Sequence, residues 1–167
     1  MSNSQPLPDA LYQLGQTRFN GLYPEQPVDP LIAKLLSLSD FAWSCLQSQP
    51  DLKDWLLDES TLACRNPQPP LTDNDSTELD DAAAMAKLRL YREKYWLKVA
   101  FLDVCCHNPI EDSIAYISAL AEQLIDCANQ WAFAQVAKVS GMPTDAFGNA
   151  IPMLVLGMGK LGGGGVN

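Results

Sequence analysis

The run LDDAAAMAKLRLYREKYWLKVAFLDVCC, residues 79–106, contains neither glycine nor proline and is rich in alanine, leucine, lysine and arginine. Such side chains lose little freedom in a helix, so the run favours one over its whole length. Leu88, Tyr91, Tyr95 (or Trp96), Val99 and Leu102 recur every three or four positions, which places them on one face. In front of them, Thr77-x-x-Asp80 has the form of a helix start. Behind them, Asn108-Pro109 breaks the pattern. A second long face follows in Ile114, Ile117, Leu120 (with Ala121), Leu124, Ala128, Trp131, Gln135 and Val139. Glu111 and Asp112 lie in its first turn, where acidic groups suit the helix dipole. Gly141 stands where a C-cap glycine belongs, with Pro143 just beyond. Two helices of this length make the chain mainly α.

Working outward toward the amino terminus, residues 1–9 are polar and proline-bearing and are expected to be disordered. A short helix is expected from Ala10 to Phe19, ended by Asn20-Gly21, with Pro24, Pro27 and Pro30 marking a loop. Asp29-Pro30 reads as an N-cap followed by proline in the first helical position. Leu31, Leu35, Leu38, Phe41 and Ala42 lie at helical spacing behind it, and Ser39-Asp40 divides the stretch in two. Pro50 ends the segment, and Asp51 is expected to cap a short helix holding Leu52, Trp55 and Leu56. The loop near residues 66–76 has Leu71 as its only large apolar residue. The four tryptophans, Trp43, Trp55, Trp96 and Trp131, sit on helical faces and read as core.

Composition narrows the classes of function. Of 167 residues, 47% are hydrophobic, enough for a core. Twenty acidic residues against 11 basic leave a net charge of −9, which argues against a nucleic-acid or anionic-membrane surface. No apolar stretch approaches the ~18 residues of a membrane span. The opening Met1-Ser-Asn-Ser-Gln-Pro lacks the features of a signal peptide, so the chain reads as cytosolic. Its five cysteines, Cys45, Cys64, Cys105, Cys106 and Cys127, form no disulfide pattern and read as small buried groups. His107 is the only histidine, and beside Cys105-Cys106 it reads as structural or solvent-facing, because adjacent ligands rarely close a tetrahedral metal site. Arg89, Arg92, Lys94 and Lys98 read as a solvated face interleaved with core aromatics. Asp80-Asp81 and Glu111-Asp112 are explained by capping rather than catalysis.

The chemistry concentrates at the other end, in MLVLGMGKLGGGGVN, residues 153–167. Met153 to Leu156 fits a buried strand, which then breaks into six glycines within nine residues, with Lys160 among them. Glycine backbone lets N–H groups approach an anion closely, and a strand opening into such a loop can hold phosphate. Among those glycines Lys160 reads as a contact to a phosphate oxygen, with an ordinary solvated lysine as the alternative. Gly157-x-Gly159-x-x-Gly162 matches the dinucleotide fingerprint by letter, but Gly163-Gly164-Gly165 opposes the helix that fingerprint needs. Leu161 after Lys160 departs from the P-loop, which needs Ser or Thr there. A glycine tail with no ligand remains the alternative, on a helical module whose work is interaction.

The fuller string Leu156-Gly-Met-Gly-Lys-Leu-Gly-Gly163, followed by Asn167, resembles the signature of the glutamine synthetase adenylyltransferase family, which is bifunctional in adenylylation and adenylyl removal. The basic-aromatic stretch Leu88 to Ala100 is similar to a helix that precedes the catalytic core in that family. The resemblance implies a helical domain over 10–150. It also implies, over 151–167, the first strand and glycine loop of a truncated polymerase β-like nucleotidyltransferase domain. Gly157, Gly159, Lys160, Gly162 and Gly163 would contact nucleotide phosphates. ATP and ADP would be substrates, Mg²⁺ the metal, and glutamine synthetase and the PII signal protein the partners. Gly165 stands where the family has Glu, and Val166 where it has Leu. The family's Ser-Asp-x-Asp metal ligands do not occur in this chain, which is therefore expected to be an amino-terminal piece, adenylyl-removing by position, and inactive alone.

Overall fold

The computed structural model describes residues 7–64, 68–72, 75 and 79–157. Among these are seven helices: α1 (Asp9–Leu22), α2 (Pro30–Leu38), α3 (Asp40–Ser48), α4 (Leu52–Leu57), α5 (Glu59–Ala63), α6 (Asp81–Cys105) and α7 (Ile110–Ser140). The mainly helical class is as expected.

Local chemistry sets the boundaries. Asp29 caps α2, its carboxylate accepting from Leu31 N at 2.9 Å and Ile32 N at 3.0 Å, which satisfies two amides with no partner inside the helix. Ser39 does the same for α3 through Ala42 N at 3.1 Å, and Asp80 for α6 through Ala83 N at 2.8 Å. Thr77 lies outside the described residues. Asp51 differs from expectation: it has helical backbone angles and makes no capping bond. The cap in that region is Asp58, which accepts from Ser60 N at the head of α5. Helix α1 begins at Asp9, inside the stretch expected to be disordered.

The described residues fall into two units. The first comprises residues up to 64 together with 93–113. Its core holds Phe19, Ile32, Leu35, Leu36, Leu46, Leu56, Leu97 and Phe101. Helix α1 lies against α2, and Gly15 makes their close approach possible: a Cβ there would sit 2.2 Å from Ala33 O. Arg18 joins three helices, donating to Leu36 O at 2.7 Å at the end of α2 and to Asp40 Oδ1 at 2.6 Å at the start of α3.

The predicted face of α2–α3 is corrected in part. Leu35 and Ala42 are buried, but Leu31, Leu38 and Phe41 are exposed, while Ile32, Ala33 and Leu36 take the interior. The break at Ser39 resets the helix rotation, so one face cannot run through it. Trp96 is likewise exposed, at 47%. Trp55 is half-buried, edge-on to Tyr95 at 5.5 Å and under the Lys94 ammonium at 4.3 Å.

Tyr23 donates to Pro50 O at 3.0 Å. Burial, then the charges of Asp54 and Asp51, push its pKa up to about 12. Burial likewise lifts the thiols of Cys45 to about 11 and Cys105 to about 12. The folded state therefore keeps protons that the unfolded chain has already lost. The stabilisation is complete below the unfolded values and drains away as pH rises toward 11–12. Denaturant midpoints should fall across that range, and Tyr23→Phe should flatten the part of the fall above the ordinary tyrosine pKa of about 10. An equally steep fall in the variant would refute the assignment to Tyr23.

The second unit comprises the described residues of 66–92 and 114–157. It buries Leu71, Ala84, Leu120 and Cys127, so the lone leucine of the predicted loop is core. Of the predicted α7 face, Leu120 is buried, Ile114, Ile117, Leu124, Ala128 and Trp131 are half-buried, and Val139 is exposed at 89%. No helix among the described residues is long and apolar enough to cross a membrane.

Candidate functional site

The route to the glycine string starts at the end of α7. Gly141 adopts φ +82° and donates its N–H to Ala137 O at 2.9 Å, the expected C-cap. A small hairpin follows. Thr144 and Ala150 form an antiparallel bridge, closed by Ile151 N to Pro143 O and Asp145 N to Asn149 O, both 2.9 Å. Gly148, at φ +85°, supplies the left-handed residue of the turn. Asp145 braces the turn from inside. Its Oδ1 accepts from Phe147 N at 2.8 Å and Asn149 N at 2.9 Å, and its Oδ2 from Asn149 Nδ2 at 2.9 Å. These bonds, the Asn149 side chain foremost, hold its pKa below the usual carboxylate range. The polar stretch Asp145 to Ala150, with its Gly148-Asn149 pair, is turn-like in the sequence. The carboxylate that organises it was legible as an Asx-type signal and was missed.

Beyond the hairpin, residues 151–157 form no strand. The buried strand expected at Met153–Leu156 is not seen among the described residues, where those four are 50%, 81%, 49% and 85% exposed. A strand is stabilised by a ladder, and no ladder partner occurs among the described residues. Gly157 is exposed. Gly159, Lys160, Gly162 and Gly163 lie outside the described residues.

The other candidates resolve locally. Of the four basic residues on α6, Arg89 and Arg92 are exposed as expected and Lys94 is half-buried. Lys98 corrects the reading: it is 1% exposed, and its ammonium donates to Cys64 O at 2.5 Å, at the carboxyl end of α5. His107 is exposed and adopts φ +53°, the left-handed residue that turns the chain out of α6. Cys105 donates its thiol to Leu31 O at 3.2 Å. Its raised pKa leaves little thiolate for ligation.

Mg²⁺, which the resemblance implies, finds no donor set here. Among the described residues no three His, Cys, Asp or Glu side chains gather as a metal site. Asp145, the described carboxylate closest in sequence to the glycine string, is committed to its turn through both oxygens.

With that geometry in place, likeness to known proteins decides the family. The glutamate-ammonia ligase adenylyltransferase family matches residues 30–167, which takes in α2 to α7, the hairpin and the whole glycine string. The chain belongs to that family. Among adenylyltransferase relatives, the bifunctional glutamine synthetase adenylyltransferase/adenylyl-removing enzyme of Shewanella frigidimarina is 33% identical over 136 residues, 79% of this chain and 14% of that protein. The protein of the same name from Shewanella loihica is 40% identical over 84 residues, 50% of this chain and 9% of the relative. That of Shewanella woodyi is 45% identical over 76 residues, 46% and 8% respectively. The chain thus aligns with less than a fifth of the length of these adenylyltransferase relatives.

Proposed function

We propose that residues 151–167 are the entry strand and phosphate-holding turn of a nucleotidyltransferase domain of polymerase β-like fold. In a longer protein that domain would move AMP on and off a tyrosine of glutamine synthetase in the cytoplasm. The observation that carries this reading is the family match running through the glycine string to residue 167. In support, Met153 to Leu156 alternate between half and full exposure with the period of two that a strand requires.

In this reading the backbone N–H groups of Leu161, Gly162 and Gly163 approach the phosphate oxygens of ATP or ADP, and Lys160 balances their charge. Mg²⁺ would neutralise and align those oxygens, held by carboxylates that these 167 residues do not contain. Alone, the chain is therefore proposed to hold nucleotide without turning it over. The order of its elements favours the adenylyl-removing half. There inorganic phosphate attacks the adenylyl phosphorus, the bond to the tyrosine oxygen breaks, ADP leaves, and the tyrosine oxygen takes a proton. The PII signal protein would regulate the balance of the two activities.

Titration with ATP and ADP, followed by isothermal calorimetry, tests the loop. Weak binding on the order of millimolar is expected, and Lys160→Ala should abolish it. Binding indifferent to Lys160→Ala would remove the lysine from the site. No binding even in a version extended through a Ser-Asp-x-Asp stretch would overturn the reading. The chain would then be a helical interaction module with an incidental glycine tail.

A further inference from the structure

Asn129 lies on α7, 24 residues before Met153, and both belong to the second unit. Its amide nitrogen donates to Met153 O at 3.5 Å. Its Oδ1 is buried and has no hydrogen-bond partner among the described residues. A buried amide oxygen without a donor is costly, so the side chain is set for a bond it has not completed. The Val155 N–H has no backbone acceptor among the described residues.

The stereochemistry of extended chain links these facts. In a strand, the C=O of residue i−1 and the N–H of residue i+1 point to the same side. Around Leu154 these are Met153 O and Val155 N–H. A side-chain amide carries one donor and one acceptor side by side, the pair a neighbouring strand would offer. Exposure alternates with the same period: Met153 and Val155 are 50% and 49% exposed, whereas Leu154 and Leu156 are 81% and 85% exposed. We propose that Asn129 is a positioning residue that takes the place of a strand partner, its Nδ2 holding Met153 O and its Oδ1 receiving the Val155 N–H. A slight approach of the segment shortens the long first bond and makes the second. The amide thereby fixes the direction in which the chain enters Gly157. Its bearing on nucleotide rests on the function proposed above; the backbone contact does not.

Amide hydrogen exchange followed residue by residue by NMR tests it. In Asn129→Ala the Val155 amide should exchange about tenfold faster, the effect of one lost hydrogen bond. Amides within α7 and the helical circular dichroism should stay as they were. Asn129→Asp keeps the acceptor and loses the donor, so it should retain most of the Val155 protection. Exchange at Val155 within about twofold of the parent in Asn129→Ala, with α7 intact, would overturn the proposal. If Asn129→Ala lowers the protection of α7 as well, Asn129→Asp decides, and loss of Val155 protection there also overturns it. A third measurement separates the two readings. If exchange changes as expected but ATP and ADP never bind, the brace stands and the nucleotide function falls.

Discussion

Gly15→Ala is expected to destabilise the protein by about 2 kcal/mol, although alanine is the better helix former. A Cβ at position 15 would lie 2.2 Å from Ala33 O, 3.0 Å from Ala33 C and 3.1 Å from Ser37 Cβ. Two of these three atoms are backbone of α2, which cannot swing aside as a side-chain end can. The helices must separate, and Phe19, Ile32 and Leu36 lose close packing with them. Overpacking of this kind costs about 1–3 kcal/mol, more than the ~1 kcal/mol by which alanine improves on glycine in a helix. Gly21 is the internal control. It belongs to the same helix and has nothing within 4 Å of its would-be Cβ. Gly21→Ala should therefore stabilise by up to ~1 kcal/mol. Thermal melts of the two variants should move in opposite directions, the first down by several degrees, at ~2–4 °C per kcal/mol for a chain of this size. If both melts rise, α1 and α2 do not meet at Gly15.

Lys98→Ala should cost more, about 3 kcal/mol. The side chain is 1% exposed, and its ammonium meets Cys64 O at the carboxyl end of α5, where the helix dipole is negative. Truncation leaves a cavity the length of the stem in a buried position, and takes the ammonium from a main-chain acceptor. Lys98→Met separates the two losses. It restores the stem without the charge and should recover most of the stability, leaving a deficit of about 1 kcal/mol for the lost bond. Chemical denaturation of the three proteins measures both steps. A Lys98→Ala midpoint unchanged from the parent would mean that the ammonium lies in solvent.

Position by position, the sequence was legible where the cause is local. Asp29, Ser39 and Gly141 cap helices through atoms a few residues away, and their residue types announce it. Gly15 announces nothing, because what makes it necessary is Ala33, eighteen positions on. Lys98 carries the pattern of a surface lysine, since a buried one differs only in what surrounds it. Leu31, Leu38 and Phe41 were placed on a core face drawn straight through Ser39, although that residue already marked a break in the helix. The segment 153–156 has strand composition and strand-like alternation but no strand, because a ladder belongs to two segments and composition describes one. Of the candidate site, the family and the hairpin turn were readable from residues 143–167. The pairing of Asn129 with Met153 was not, since nothing in the letters links position 129 to position 153.

The division of the first unit into two stretches governs when it can fold. Its core needs Leu97 and Phe101, and their helix is anchored at its far end by Ser113, whose buried hydroxyl bonds Asp103. A nascent chain that has reached residue 64 has made α1 to α5 but lacks both core residues. At roughly 5–20 residues per second the ribosome needs on the order of 2–10 s more to reach residue 113. Through that interval the core cluster that holds Phe19, Leu36 and Leu56 lacks Leu97 and Phe101. The protein is thus most exposed to proteases and to self-association while still being made, and a truncated message ending between 64 and 93 would leave it in that state permanently.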